Sequence, residues 1–266
     1  LHKEYRRQRQ MCIRDRENGE DFNPEVGFVR RTGFRKYDAG IYHTSRPQGF
    51  LKFQELRPHA SFNRFWNFSG AMETTYIHTH FDGELEDSSS VGLAYDVKQE
   101  QVANSFMVSG IVIPAGRYDF SEIRPSIYYN ESAPVSFGVS STFGGFFGGD
   151  ISTVEPRIRA RYSETFNMSL SYSRNDIDLP LGSTITNLTS VRAAYNVSPR
   201  VFVQSLLQHN DSDNLWSVNF RFGWLQDANT GLFVVYNEIE GIGHIVPNGA
   251  GRSLILKYSY LFDVLG

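Results

Sequence analysis

Between residues 215 and 225 every second side chain is apolar. Trp216, Val218, Phe220, Phe222 and Trp224 occupy one parity, and Ser217, Asn219, Arg221 and Gly223 the other. A β-strand sends successive side chains to opposite faces, so this stretch has one wholly apolar face and one polar face. Tryptophan near both ends of a strand of about ten residues is the arrangement that two membrane–water interfaces select.

The pattern recurs along the chain. In 154–162, Val154, Pro156, Ile158, Ala160 and Tyr162 oppose Glu155, Arg157, Arg159 and Arg161. In 166–173, Phe166, Met168, Leu170 and Tyr172 oppose Asn167, Ser169, Ser171 and Ser173. In 254–262, Leu254, Leu256, Tyr258, Tyr260 and Phe262 share a face, and 134–143 and 184–197 are weaker versions. Pro156 would ordinarily demote a strand, but the alternation on both sides of it is clean.

Composition agrees with a wall one residue thick. Apolar residues make up 40% of the 266 residues, low for a large soluble core, yet aromatics reach 14%, with 21 Phe and 14 Tyr. A membrane barrel needs apolar side chains only at alternate positions and uses aromatic rings at its interfaces. No run approaches about 18 consecutive apolar residues, which excludes membrane-spanning helices. A net charge of −3 argues against nucleic acid as a main partner. Cys12 is the single cysteine, so neither an intrachain disulfide nor a cysteine metal site can form.

Connections between the alternating runs also alternate in length. Asn130–Pro134, Ser163–Glu164, Ser198–Pro199 and Gln226–Thr230 are short; Gly144–Asp150, Arg174–Ser183, His209–Asn214 and Ile239–Gly251 are longer. Short periplasmic turns and long extracellular loops alternate in this way in outer-membrane barrels, and the same parity makes Phe81–Ser90 an extracellular loop. The expected fold is therefore all-β: an antiparallel up-and-down transmembrane β-barrel with about 13 strands present, truncated at its N-terminal side. A soluble β-sandwich or propeller is the alternative, disfavoured because its core would select Val, Ile and Leu over rings near strand ends.

Residues 48–266 carry the barrel strands. Residues 17–47 are irregular, basic and aromatic, and either hold one strand or lie inside the barrel. Residues 1–16 are basic and lack the apolar core of a secretory signal. The run from Arg6 to Arg16 reads as translated sequencing-adapter sequence, an artefact or a disordered arm, which places the true start upstream.

Four segments carry a family resemblance: Phe22–Arg31 (Phe-Asn-Pro-Glu-Val-Gly-Phe-Val-Arg-Arg), Ile113–Tyr118 (Ile-Pro-Ala-Gly-Arg-Tyr), Gly231–Glu238 (Gly-Leu-Phe-Val-Val-Tyr-Asn-Glu) and Leu254–Phe262 (Leu-Ile-Leu-Lys-Tyr-Ser-Tyr-Leu-Phe). They resemble an uncharacterised bacterial family in which a family-9-like carbohydrate-binding module precedes a C-terminal outer-membrane barrel of unknown function. The resemblance spans roughly residues 21–263. It implies a bacterial outer-membrane location and a link to glycans, and it supplies no catalytic residues. This sequence lacks the N-terminal module. Two functions follow as expectations: a channel or transport scaffold linked to glycan uptake, or a non-conducting anchor for that module. A third, a barrel-embedded hydrolase, finds no catalytic cluster, so no enzyme activity is expected, and no cofactor. The expected partners are outer-membrane lipid and glycans or anionic solutes.

The sharpest candidate site is the ladder Arg157, Arg159 and Arg161. With Arg192, Arg221 and Glu155 on the polar parity, it is expected to line a lumen, where a positive constriction would favour anions. The competing reading is a filled interior in which Glu155, Glu164 and Glu122 neutralise these arginines. His78 and His80, two apart on one strand face, form a pair of the kind that can hold a metal. No third ligand of suitable spacing stands out in the sequence, so no metal site is assigned and a solvated strand end is expected. The acidic run Asp82, Glu84, Glu86 and Asp87 lacks calcium-loop spacing and reads as a solvated loop. Gly144–Gly149 lacks the Gly-Lys-Ser/Thr of a phosphate cradle and reads as a flexible loop tip exposing Phe146 and Phe147, for ligand stacking or lipid contact.

Overall fold

The computed structural model describes residues 8–22, 31–212, 214–227, 230–241 and 251–260. Seventeen strands and no helix are found among them. In chain order they are β1 (Gln8–Asn18), β2 (Phe34–Thr44), β3 (Phe53–Leu56), β4 (His59–Asn67), β5 (Met72–Leu85), β6 (Ser90–Val102), β7 (Phe106–Val108), β8 (Ile111–Ile113) and β9 (Gly116–Tyr129). There follow β10 (Val135–Phe146), β11 (Gly149–Tyr162), β12 (Phe166–Leu179), β13 (Gly182–Ser198), β14 (Val201–Asn210), β15 (Leu215–Asp227), β16 (Thr230–Gly241) and β17 (Gly251–Ser259).

One sheet takes the strands in the order β1-β2-β4-β5-β6-β9-β10-β11-β12-β13-β14-β15-β16-β17, with β3 added against β5. The β7–β8 hairpin forms a sheet of its own. Apart from β2–β4 and β6–β9, neighbouring strands in this path follow one another in sequence, and the pairs run antiparallel, as in β14–β15 and β15–β16. The protein is thus all-β, antiparallel and up-and-down, as the alternation predicts. The hydrogen-bonded path ends on β1 and β17, so among the described residues the sheet has two edges and is not closed. Residues 8–18, set apart on sequence grounds, form β1 and pair with β2 from Gln8↔Thr44 to Asn18↔Phe34. Residues 34–44, within the irregular stretch, are β2; residues 23–30 lie outside the described residues.

Several links expected to be long loops are strand instead. Gly144–Phe146 belongs to β10 and Gly149–Asp150 to β11, joined by only Phe147 and Gly148. Arg174–Leu179 continues β12, and Pro180 and Leu181 turn it into β13. Phe81–Leu85 completes β5, and the turn to β6 is residues 86–89. Within the same region it is residues 103–115 that make the long link, carrying the β7–β8 hairpin, so the length rule puts 86–89 among the short turns. The expected 239–251 loop lies largely outside the described residues.

The chain divides into two compact units. Unit 1 comprises Leu1–Tyr128, Ser140–Thr153 and Asp176–Thr184; unit 2 comprises Tyr129–Val139, Val154–Asn175 and Ile185–Gly266. In unit 1 the burial of side chains is inverted relative to a soluble domain. On one parity Ile77, Tyr95 and Ile127 are 42, 51 and 52% exposed, while on the other Asp96 and Glu122 are 1 and 6% exposed. The register places these residues in continuous rows, Ile41↔Ala60↔Thr79↔Tyr95↔Ile123 on the apolar face and Ser61↔His78↔Asp96↔Glu122 on the polar one.

Among the described residues a cluster of buried apolar side chains forms where the hairpin docks. Ile111, Ile113, Ile177 and Leu179 are buried there, with Tyr118, Phe146, Phe147 and Ile151 against them. Phe147 meets Phe106, Tyr118 and Phe120 edge-on or tilted at ring distances of 5.3–5.4 Å. The two phenylalanines of the expected loop tip are therefore packed. Glycine is needed here because backbones approach closely: a Cβ on Gly144, whose φ is +148°, would sit 2.2 Å from the Ser121 carbonyl oxygen. One on Gly149 would sit 2.0 Å from that of Asp178.

In unit 2 the same parity rule holds. Trp216, Phe220 and Trp224 on β15 are exposed. Through the register Phe220, Phe222 and Trp224 align with Leu254, Leu256 and Tyr258 of β17, two strands away. Arg221 and Asn219 face the other way, beside Gln204 and Leu206 of β14.

Candidate functional site

The polar face of unit 1 is built around a buried carboxylate. Asp96 sits on β6, opposite His78 of β5 and Glu122 of β9. A buried charge is tolerated only with partners, and Asp96 has three. Tyr76 donates its hydroxyl to Oδ1 at 2.9 Å, His78 Nδ1 lies 2.5 Å from the same atom, and an Arg124 guanidinium nitrogen lies 2.6 Å from Oδ2. The Arg124 contact is an ion pair without hydrogen-bond alignment, since Oδ2 has no aligned donor. Next to it Lys98 donates to Glu122 at 2.7 Å.

His78 points its other nitrogen at His59. The two Nε2 atoms are 3.2 Å apart, and His59 Nδ1 lies 3.2 Å from the Arg57 carbonyl oxygen. His80 completes the group, its ring 5.0 Å from His59 and 5.6 Å from His78. Strand pairing assembles this trio: His59 is the direct partner of His80, and Ser61 of His78. Its backbone frame is the break between β3 and β4. Pro58 cannot donate a backbone hydrogen bond, and it holds Arg57 extended. Arg57 N instead donates to the Asp82 carbonyl at 2.7 Å, and the Arg57 guanidinium is 2.6 Å from the Asp82 carboxylate. Tyr42 stacks on the His59 ring at 5.5 Å.

The third histidine is the element that sequence reasoning missed. His78 and His80 are visible as an i, i+2 pair, but His59 enters only through cross-strand register. The acidic run is likewise reassigned. Asp82 and Glu84 lie on β5 and face Arg57, at 2.6 and 3.7 Å, and only residues 86–89 form a turn.

The predicted lumen residues fall into two groups, both in unit 2. Arg192 and Arg221 line one hollow of about 430 Å³ together with Asn167, Asn196, Gln204 and Asn219. Neither arginine makes an ion pair with a described carboxylate. The ladder does not line this hollow. Arg157 and Arg159 both meet Glu131, at 3.1 and 3.6 Å, and Arg161 donates to the Ser132 carbonyl at 2.7 Å. Glu131 and Ser132 belong to the turn after β9, so the ladder is tied to a strand end. Glu155 shares its parity and is exposed. Of the acids expected to neutralise the ladder, Glu122 is taken by Lys98.

A second hollow, of about 810 Å³, lies on the opposite face of unit 1. Ile41, Ala60, Phe81, Leu93, Tyr95 and Ile123 line it, as do His59 and His80. Most of its lining belongs to the apolar parity.

No protein-family profile matches the chain, and no curated protein is significantly similar to it. The barrel-domain resemblance therefore rests on the segments quoted for it.

Proposed function

We propose that the chain forms wall strands of a bacterial outer-membrane β-barrel whose polar face in unit 2 receives anionic solutes. One observation carries the reading: apolar and aromatic side chains are exposed on one parity while Asp96 and Glu122 are buried on the other. Contiguous apolar surface of this extent is costly in water and favourable in lipid. Lipid in turn demands that every backbone group be paired, so the reading requires the edges at β1 and β17 to be satisfied in the membrane. The hollow bearing Arg192 and Arg221 among amide side chains supplies a positive, hydrogen-bonding surface of the kind that favours anions.

A second reading, a non-conducting anchor or platform for a carbohydrate-binding module, is favoured by the polar face of unit 1, where paired charges fill the space. Planar-bilayer recording on the refolded protein separates the two. Steady current with anion preference, reduced by Arg192→Gln with Arg221→Gln, supports the conducting barrel. Electrical silence in inserted protein supports the platform.

A further inference from the structure

We propose that His59, His78 and His80 form a binding site for a zinc-class divalent cation on the polar face of unit 1. The three side chains can each offer one nitrogen, and these atoms all lie within 4.8 Å of one another. Neutral imidazole is a preferred ligand for zinc, nickel and copper.

The protonation of the rings is set by their neighbours. His78 Nδ1 faces the Asp96 carboxylate at 2.5 Å, so Nδ1 carries the proton and donates. His59 Nδ1 faces the Arg57 carbonyl at 3.2 Å and donates likewise. Both rings therefore present the lone pair of Nε2, and these two lone-pair atoms stand 3.2 Å from each other. Two lone pairs turned toward each other at that distance suit a shared metal ion. Tetrahedral zinc with bonds of 2.0–2.1 Å sets its ligand nitrogens about 3.3 Å apart, which the His59–His78 pair already matches. Bringing His80 to the same spacing needs a movement of less than about 2 Å, within reach of rotation about its broad χ2.

The surroundings supply what a histidine metal site requires. A carboxylate or carbonyl on the far nitrogen fixes the ring and raises its basicity, and Asp96 and Arg57 provide one of each. Gly92, beside His80 on the neighbouring strand, keeps that ring's space open: a Cβ there would come within 3.1 Å of His80 Nε2. Arg124, whose guanidinium lies 3.4 Å from His78 Nδ1, is matched by Asp96, and Arg57 by Asp82. Three protein ligands leave a fourth position open to water or a solute.

The test is zinc titration calorimetry on the full chain, without a histidine tag, refolded in detergent and stripped with chelator. One equivalent of Zn²⁺ should bind saturably. His59→Ala and His78→Ala should each abolish that equivalent, whereas His43→Ala and His209→Ala should keep it. Asp96→Asn should weaken binding by about 10–100-fold. Absence of a saturable equivalent, or one that survives His59→Ala with His78→Ala, overturns the site. X-ray absorption on the zinc-loaded wild type guards against misfolded variants. Imidazole scattering from three histidines supports the proposal, and oxygen-only ligation overturns it.

Discussion

The polar faces of the two units are made from the same alternation but filled differently. In unit 1 acids and cations are paired: buried Asp96 with Arg124 and His78, buried Glu122 with Lys98, and, part-exposed, Asp82 with Arg57 and Glu73 with Arg31. In unit 2 the corresponding rows carry amides and two arginines around a hollow, with Asn219 donating to Asn237 and Arg192 and Arg221 facing open space. Alternation specifies which face a side chain takes. The chemistry of the polar parity decides whether that face is a filled interior or an accessible one.

The largest expected effect tests the filled side. Asp96→Ala leaves Arg124 and His78 without their acid and should cost about 3–5 kcal/mol in urea unfolding of the membrane-inserted protein. A loss below about 1 kcal/mol would mean the unit 1 network is ornamental. Next comes the open side: Arg192→Gln with Arg221→Gln should leave stability within about 0.5 kcal/mol while lowering anion preference. If that double substitution unfolds the protein, the two polar faces do not differ as described.

The ladder at the end of β11 should fall between these behaviours. Replacing Arg157, Arg159 and Arg161 by Gln removes partly exposed pairs to Glu131 and should cost about 0.2–1 kcal/mol per pair. Selectivity should change less than in the Arg192/Arg221 variant, because the ladder does not line the hollow.

The smallest effect is a pH one. Asp211, in the β14–β15 turn, is held below the ordinary carboxylate range by the Asn187 side chain and then by the Asn187 backbone N–H. A lowered folded pKa gives stability that is present above the unfolded value, about 4, and is lost as pH falls through the lower folded value. Asp211→Asn should remove that acid dependence, and acid titrations of the two proteins should then diverge only below about pH 4.

Much of the strand inventory was legible from alternation. Trp216–Trp224 lies within β15 and Phe166–Tyr172 within β12. Pro156 lies within β11, as the flanking alternation indicates. What misled was composition at strand ends. Gly144, Gly145 and Gly149 look like a loop, yet they are strand residues whose missing side chains admit a neighbouring backbone. The run 174–183 reads as polar turn sequence, yet Ile177 and Leu179 belong to the apolar cluster under the hairpin. At the site, parity correctly put Arg192 and Arg221 on the polar face. It could not separate them from the ladder, because Glu131 reaches Arg157 across a turn. His59 was illegible because register, which makes it the partner of His80, is a property of two strands and not of either one.

All three tryptophans, Trp66, Trp216 and Trp224, lie on the apolar parity proposed to meet lipid. Fluorescence of the refolded protein in vesicles with brominated acyl chains tests this directly. Strong quenching of the native tryptophans is expected, with little quenching of a reporter placed on the polar face by Ala194→Trp in a background with the three native tryptophans changed to Phe. Unquenched native tryptophans, or equal quenching of both faces, would contradict it.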